Sequence, residues 1–204
     1  KNKKNIYFSG DLSNEKKLKK FLIFLNKARN IDTAIHCMGG GFGIKADLVS
    51  KKEFLKLLMV NLICQSEINN FLIKKMVKNK IRGNILHVSS VAGLESTASI
   101  GYSSAKAALT AYSKKLAKAF IKKNIFVKTI IPGAFETSDN SFARLKKRNI
   151  KAYKKFRDTK LPRQKYAEPK DIIPIIEFLI SNKSNMLSGT DVVIDFAESN
   201  TFRI

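Results

Sequence analysis

Residues 84–106 read NILHVSSVAGLESTASIGYSSAK, a short apolar run followed by a helical pattern of small residues. Tyr102 and Lys106 stand four positions apart in the helical part, so their side chains share one face. Ser90 follows the apolar run, which predicts a strand. We expect the Lys106 ammonium to favour the phenolate and so to lower the Tyr102 pKa. These three groups suit proton exchange with a carbonyl oxygen, as hydride reduction of a ketone or oxidation of an alcohol requires.

Strands and helices alternate on both sides of this stretch. The predicted strands are 5–9, 32–38, 84–89, 125–131 and 191–195. The predicted helices are 13–28 (capped by Ser13), 51–78, 101–123, two shorter ones within 141–157, and 169–180. Short buried strands that alternate with helices predict an α/β fold: one doubly wound parallel sheet, with helices on both faces, in a single domain over residues 1–204.

Unusual residues cluster where the predicted strands end. They are Gly10-Asp11, the glycine run 39–43, Ser89-Ser90 and Pro132-Gly133. Ligands of open parallel sheets bind beyond the carboxyl ends of the strands. The clustering therefore predicts one active-site crevice at that edge, where the helix that carries Tyr102 also begins.

The charge balance is strongly basic. Lys and Arg number 39 against 16 Asp and Glu, which gives a formal net charge of +23. This excess is compatible with a polyanion partner. However, the lysines are spread over the polar faces of every predicted helix, and no nucleic-acid-reading motif accompanies them. We therefore expect no nucleic-acid partner and regard the charge as a compositional bias that also favours anionic ligands.

Several other classes of protein are not indicated. No apolar run approaches the ~18 residues of a membrane-spanning helix, and no signal-peptide pattern follows the basic start, so we expect a cytoplasmic protein without a membrane partner. Cys37 and Cys64 predict buried thiols rather than a disulfide framework. His36 and His87, on predicted buried strands, indicate satisfied core histidines. No metal site is expected.

Six segments in register resemble the short-chain dehydrogenase/reductase family over about residues 6–195. They are Asp11-Leu12, Asn61 within MVNL, ILHVSSVAG at 85–93, YSSAK at 102–106, PGAFET at 132–137, and Pro162-Arg163 through EPKDI at 168–172. The resemblance implies a Rossmann-like fold and a hydride-transferring oxidoreductase that uses NAD or NADP on a small-molecule carbonyl or alcohol.

The resemblance also implies a role for each catalytic residue. Tyr102 would be the general acid in reduction and the general base in oxidation. Lys106 would lower its pKa and hold the ribose hydroxyls. Ser90 would orient the substrate carbonyl, and Asn61 would anchor a water that relays protons towards Lys106.

The implied cofactor contacts extend along the same edge. Asp11 and Leu12 would meet the adenine ring, and Gly39 would lie against the cofactor, together with Tyr102 and Lys106. The nicotinamide would lie along Pro132, Gly133 and the residues up to Thr137.

Three departures from the family pattern stand out. The usual asparagine-rich segment reads His36-Cys37-Met38-Gly39, so Cys37 replaces an asparagine that braces the sheet. The last strand continues into Phe196-Ala197 instead of a glycine pair. Finally, the chain starts where the family's third strand is expected, so we interpret it as an N-terminally incomplete copy that lacks the first βαβ unit.

Substrate choice is expected to rest on residues 138–164, which interleave ten basic with three aromatic residues. A basic, aromatic lid suits an anionic substrate, such as an acyl-carrier-linked ketone or a nucleotide sugar; a plain solvated helix pair is an equal alternative. The resemblance further implies a homo-oligomer, a dimer or tetramer. The alternative functions are a non-catalytic scaffold of the same fold and a basic polyanion-binding protein.

Overall fold

A computed structural model describes residues 5–28, 30–95 and 97–201. Four strands form one parallel sheet in the order β1-β2-β3-β4: β1 Thr33–His36, β2 Gly83–Val88, β3 Ile125–Pro132 and β4 Asp191–Ile194. Every neighbouring pair is parallel. The predicted α/β class with a parallel sheet is therefore confirmed, and the carboxyl ends of all four strands lie at one edge.

Seven α-helices accompany the sheet in the described ranges. They are α1 Glu15–Asn26, α2 Lys51–Leu58, α3 Cys64–Lys78, α4 Ile100–Phe120, α5 Ser141–Arg148, α6 Ile150–Lys160 and α7 Pro169–Ile180. Asn14 caps α1, not Ser13 as predicted. The Ser13 hydroxyl instead donates to Asp11 at 2.7 Å, so it does not act as the cap. None of the described helices has the length and apolarity to cross a bilayer.

The strand predicted at residues 5–9 is wrong. These residues have no regular secondary structure, and Ile6 and Tyr7 are 78% and 82% exposed. Phe8 packs its ring against Phe21 and Phe24 of α1, at centroid distances of 5.2 and 5.5 Å. A short apolar run becomes a strand only where a neighbour completes its hydrogen bonds, and here helix contacts hold it instead.

The two faces of the sheet carry separate apolar clusters. Ile85 and Val127 face α3 and α4, where Leu72 and Met76 cover them. The intervening residues of the strands point the other way: Leu86 and Ile130 pack against Leu179 of α7. This alternation gives each face of the sheet its own apolar cluster.

The predicted helix 51–78 is interrupted at its middle. A π-helical turn, Met59–Ile63, joins α2 to α3, and Asn61 lies at its centre. π-turns widen a helix by one residue and are frequent at functional sites. The turn places a buried asparagine beside the carboxyl end of β1.

Candidate active site

Three loops meet at the carboxyl edge of the sheet. One continues β1 through Gly39 and Gly40, the second continues β2 into Ser89-Ser90, and the third continues β3 through Gly133. The first turns of α4 lie over the second loop, because Ser89 donates its hydroxyl hydrogen to the Lys106 carbonyl at 3.1 Å. The structure therefore brings the predicted catalytic residues of three separate segments to one edge.

Lys106 is the buried cation of this edge, with only 3% of its surface exposed. Its Nζ donates to the Val88 carbonyl at 2.8 Å. Burial lowers the pKa of Lys106 to about 8, and nearby Cys37 partly opposes that shift. At neutral pH the side chain remains an ammonium, because its pKa still lies above 7.

Tyr102 lies one turn before Lys106, and the Lys106 Nζ is 5.9 Å from the centroid of its ring. The predicted lowering of the Tyr102 pKa by Lys106 is wrong. Burial of the phenol raises its pKa, and the interaction with the Ser90 hydroxyl opposes that shift. Desolvation of the phenol dominates its pKa. The Lys106 ammonium lies over the Tyr102 ring, and the ammonium donates its hydrogen bond to the Val88 carbonyl. The phenol is therefore protonated at neutral pH.

Ser90 begins a short 3₁₀ turn, Val91–Gly93, that leads away from β2. Its Oγ accepts a hydrogen bond from the Ala92 amide at 3.2 Å and also interacts with Tyr102. Gly93 allows this turn to approach α4, because a Cβ there would lie 2.9 Å from the backbone of Ala107. The Ser90 and Tyr102 hydroxyls thus form a pair from two different elements.

Asn61 is fully buried and is bonded to the β1 loop. Its Oδ1 accepts from the Gly40 amide, and its Nδ2 donates to the Gly40 carbonyl, both at 3.0 Å. The same Nδ2 donates to the Leu57 carbonyl at 2.9 Å. A Cβ at Gly39 would lie 2.6 Å from Asn61 Oδ1 and 3.0 Å from Lys106 Nζ. Asn61 therefore braces the loop beside Lys106, and the proton relay stays a prediction.

The predicted adenine contacts lie beside the helix that continues from Asn61. Asp11 accepts hydrogen bonds from Ser13, and its carboxylate is exposed, with a pKa that these bonds lower. The Leu12 carbonyl accepts a hydrogen bond from the Cys64 thiol at 3.1 Å. This bond ties the segment to the start of α3, and the adenine contact itself stays a prediction.

Pro132, Gly133 and Thr137 follow β3 at the same edge, and Pro132 is its last residue. Phe135 forms an isolated parallel bridge with Ala167, which anchors the middle of the segment. Their nicotinamide contacts stay a prediction.

The two histidines are core residues, as the sequence predicts. His36 Nε2 lies 2.8 Å from Asn69 Oδ1, and Asn69 Nδ2 lies 2.8 Å from His87 Nε2. His87 Nδ1 completes the chain at 2.8 Å from the Ser113 hydroxyl. Burial holds the His87 pKa well below its usual value. This series of hydrogen bonds runs from β1 and β2 to α3 and α4, so it joins the sheet to the helices behind the site.

The two cysteines differ from each other. Cys64 is buried as predicted, but the prediction of a buried Cys37 is wrong, because Cys37 is exposed. It directly follows β1, which lies at the edge of the described sheet, so no second strand covers it. No cluster of metal-ligating side chains was found among the described residues.

Two bracing residues were not identified from the sequence. Gln65 is fully buried one turn after Asn61, and its Nε2 donates to the Met38 and Asn61 carbonyls at 2.9 Å each. Its spacing of four from Asn61 was the available signal. Glu136, within the quoted PGAFET segment, accepts from Tyr153 Oη and from Lys146 at 2.9 Å. That contact joins α5 and α6 to the loop after β3, and no local pattern indicates it.

This arrangement matches a known family. A family model described as Enoyl-(Acyl carrier protein) reductase matches residues 1–196. The chain belongs to the short-chain dehydrogenase/reductase family. Membership confirms the predicted family and the class of oxidoreductases.

Curated relatives of this family member are reductases and dehydrogenases. The 3-oxoacyl-(acyl-carrier-protein) reductase FabG of Aquifex aeolicus is 28% identical over 182 residues, which cover 87% of this chain and 69% of that protein. The diacetyl reductase ((S)-acetoin forming) of Staphylococcus epidermidis is 24% identical over an alignment that covers 93% of this chain and 77% of that protein.

Solved structures agree with this fold. A 4-hydroxyisoleucine dehydrogenase mutant in complex with NADH and succinate matches with a TM-score of 0.84 and 28% identity, over 95% of this chain and 79% of that one. The protein ElxO with NADP bound matches with a TM-score of 0.81 and 22% identity, over 94% and 77% of the two chains, which shows the fold alone. The predicted Rossmann-like fold is confirmed, and the ligands named for these two neighbours are NADH and NADP.

Proposed function

We propose that this short-chain dehydrogenase/reductase transfers a hydride between NAD or NADP and a carbonyl/alcohol substrate, with Tyr102 as general acid and base. The observation that carries the proposal is the convergence of Ser90, Tyr102 and Lys106 at one sheet edge, with Asn61 behind Gly39. Each of these side chains comes from a different turn or element. A fold without chemistry has no need for this particular set.

The donor set at Lys106 fits a dinucleotide. Among the described residues, its ammonium is bonded to one acceptor, the Val88 carbonyl, and forms no ion pair with a carboxylate. An ammonium has three N–H donors, so two remain for the hydroxyls of a ribose. Gly39 leaves the space beside these donors open, since any larger residue would lie against Lys106 Nζ.

The protonation states suit reduction. When bound beside Lys106, the dinucleotide would supply the hydride for the carbonyl carbon. Tyr102, protonated at neutral pH because burial raises its pKa, donates its proton to the carbonyl oxygen, which becomes the alcohol hydroxyl. Ser90 holds the same oxygen by donating a hydrogen bond, and Lys106 would hold the ribose of the cofactor beside the phenol. Oxidation reverses each transfer.

Replacement of Tyr102 by Phe tests the proposal. The probes are NADH and NADPH with either diacetyl or acetoacetyl-N-acetylcysteamine, and turnover is followed by the absorbance of the reduced cofactor. We expect Tyr102→Phe to lose about 10²-fold or more in kcat while the circular dichroism spectrum and Tm remain those of the wild type.

The matched control is Tyr112→Phe, which removes the same hydroxyl from the same helix at a site away from Ser90 and Lys106, where the hydroxyl accepts from Asn69 at 3.3 Å. It should keep wild-type turnover. Undiminished turnover by Tyr102→Phe would overturn the assigned role. A wild-type protein that binds neither dinucleotide would favour the non-catalytic scaffold, and salt-sensitive binding of random oligonucleotides would favour the polyanion-binding alternative.

The substrate is proposed to be anionic, since the basic helices α5 and α6 are joined through Glu136 to the loop after β3. Their aromatic residues, however, pack inward: Tyr153 is buried with Leu161 and Tyr166, and Phe142 packs on that cluster. The aromatic rings therefore stabilise the helix pair. Arg144 and Lys146 are paired with Asp139 and Glu136, so the exposed Lys147 and Lys151 are the cations proposed to meet an anionic ligand. A ten-fold higher kcat/KM for a phosphopantetheine-bearing or nucleotide-linked ketone than for its neutral analogue would support this class. The proposed homo-oligomer is measured by light scattering after gel filtration.

A further inference from the structure

We propose that residues 195–201 form a strap across the loops of the active site, and that Glu198 is a positioning residue for the segment 132–137. The effect on the cofactor rests on the function proposed above, whereas the mechanical role of the strap does not. The strap continues directly from β4 and reaches the loops that follow β2 and β3. It also contacts the loop after α6.

The first anchor is the bond between Glu198 and the segment after β3. The Glu198 carboxylate accepts a hydrogen bond from the Ala134 amide at 2.5 Å. Gly133 allows this close approach, because a Cβ there would collide with Glu198 Oε2 and would lie 2.8 Å from Asp195 Cβ. A carboxylate that accepts from a backbone amide makes a strong hydrogen bond, so the amide is held firmly.

The second anchor joins the far end of the strap to the loop that carries Ser90. The Glu95 carboxylate accepts from the Asn200 amide and from the Thr201 hydroxyl, the latter at 2.9 Å. Glu95 lies five residues after Ser90, past the 3₁₀ turn. One short segment therefore bonds to both loops that hold proposed catalytic and cofactor residues.

The third anchor lies on the loop after α6. The Arg163 guanidinium stacks over the Phe196 ring at 3.7 Å from its centroid. Phe196 and Ala197 have φ values of 51° and 63°, in the left-handed region that disfavours side chains. Asp195 holds this turn, because its carboxylate accepts from the amides of Ala197 and Ser199 at 3.0 and 2.9 Å. A strained turn held by one ring contact and two hydrogen bonds to the Asp195 carboxylate is an organised element.

Two substitutions at Glu198 separate its hydrogen bond from its size. Glu198→Gln keeps an acceptor for the Ala134 amide, whereas Glu198→Met keeps the length and removes the acceptor. Glu177→Met, at an exposed position of α7, controls for the loss of a carboxylate elsewhere. Hydrogen exchange of the Ala134 amide is measured by NMR, and NADPH and NADH affinity by cofactor fluorescence, at a temperature where every variant is folded.

We expect Glu198→Met to accelerate exchange at Ala134 about tenfold and to raise the dinucleotide Kd by a similar factor. Glu198→Gln and Glu177→Met should remain within twofold of the wild type in both measurements. Unchanged hydrogen exchange at Ala134 in Glu198→Met would overturn the proposed role of the strap. The same holds if Glu198→Gln behaves like Glu198→Met. If the wild type binds no dinucleotide, the proposed function fails, and exchange at Ala134 still decides the strap.

Discussion

Two lysines are buried among the described residues, and they differ in where they lie on the sheet. Lys106 is 3% exposed at the carboxyl edge, and Lys128 is 1% exposed in the middle of β3, under α7. Burial lowers the pKa of both to about 8. Lys106 bonds one acceptor, whereas Lys128 donates to Asn84 Oδ1 at 3.1 Å and to the Leu179 carbonyl at 2.8 Å.

The comparison shows that a lowered pKa does not by itself mark a functional site. Lys128 lies between two elements and joins β3 to the end of α7, where its donors are directed at the protein itself. Lys106 has the same charge at the edge where the loops open. Structural hydrogen-bond networks also perturb pKa values. A structural lysine is therefore told from an active-site lysine by its position on the sheet and by how many of its N–H donors are bonded.

The largest expected difference between the two lysines is in turnover. Lys106→Met should lower kcat with the diacetyl or thioester probe by about 10²–10⁴-fold, because the donors proposed to hold the cofactor's ribose beside Tyr102 are lost. Lys128→Met should stay within about threefold, since its charge lies on the other side of the sheet. Steady-state kinetics on folded variants measures both. Equal losses of kcat in Lys106→Met and Lys128→Met would contradict a special role for Lys106 in turnover.

The second difference is in stability and has the opposite order. Lys128→Ala should lower the free energy of unfolding by about 2–4 kcal/mol, because it leaves a cavity and removes the donor to Asn84. Lys106→Ala should cost about 1 kcal/mol, because a single hydrogen bond is lost and a buried charge is removed with it. Urea unfolding measures both, with the exposed Lys52→Ala as a control. A larger loss at Lys106 would contradict the assignment.

Gly39→Ala tests the space beside Lys106 without removing its charge. The new methyl group would approach Asn61 Oδ1 and Lys106 Nζ, so at least one of them must move. We expect the Kd for NADH or NADPH to rise about tenfold, which corresponds to ~1.4 kcal/mol. Gly40→Ala is the matched control, because its φ of 152° disfavours alanine as the 157° of Gly39 does, whereas its methyl group would meet only the Phe42 ring, at 4.0 Å. An unchanged Kd in Gly39→Ala would place the cofactor elsewhere.

The smallest effect is the pH dependence of stability. Each buried lysine has a folded-state pKa of about 8, below the usual 10.5, so the unfolded chain binds more protons above pH 8. Burial of the charged lysine lowers the free energy of unfolding by its full amount below pH 8, and this loss disappears as the pH rises towards 10.5. The free energy of unfolding should gain about 1 kcal/mol from Lys106 between pH 7 and pH 9.

The difference between wild type and Lys106→Met isolates this contribution, because the tyrosines and cysteines titrate in both proteins. Lys128→Met should remove a rise of the same sign. Parallel stability curves for wild type and both variants would show that neither lysine has a lowered pKa.

Local pattern predicted most of the architecture. The helix at 169–180 has the predicted bounds, and the strands after β1 end within a residue or two of theirs, because apolar periodicity and a proline at the first turn act over a few residues. The prediction of a strand at 5–9 is wrong because pairing is not a local property. Its apolar residues satisfied a strand pattern, but pairing depends on a neighbour that no local pattern supplies.

In the candidate site, too, some features follow from local sequence and others depend on the tertiary structure. The sequence alone determined which residues could carry the chemistry, since the spacing of Tyr102 and Lys106 on one helical turn and the family motifs are local. Only the tertiary structure decided the direction of the Tyr102 pKa shift, because desolvation depends on everything packed around the phenol. It also decided that Asn61 lies in a π-turn and that Glu198 reaches Ala134, 64 residues away in sequence. Residue identity sets what a group can do, and burial and long-range contacts set its charge state and its partners.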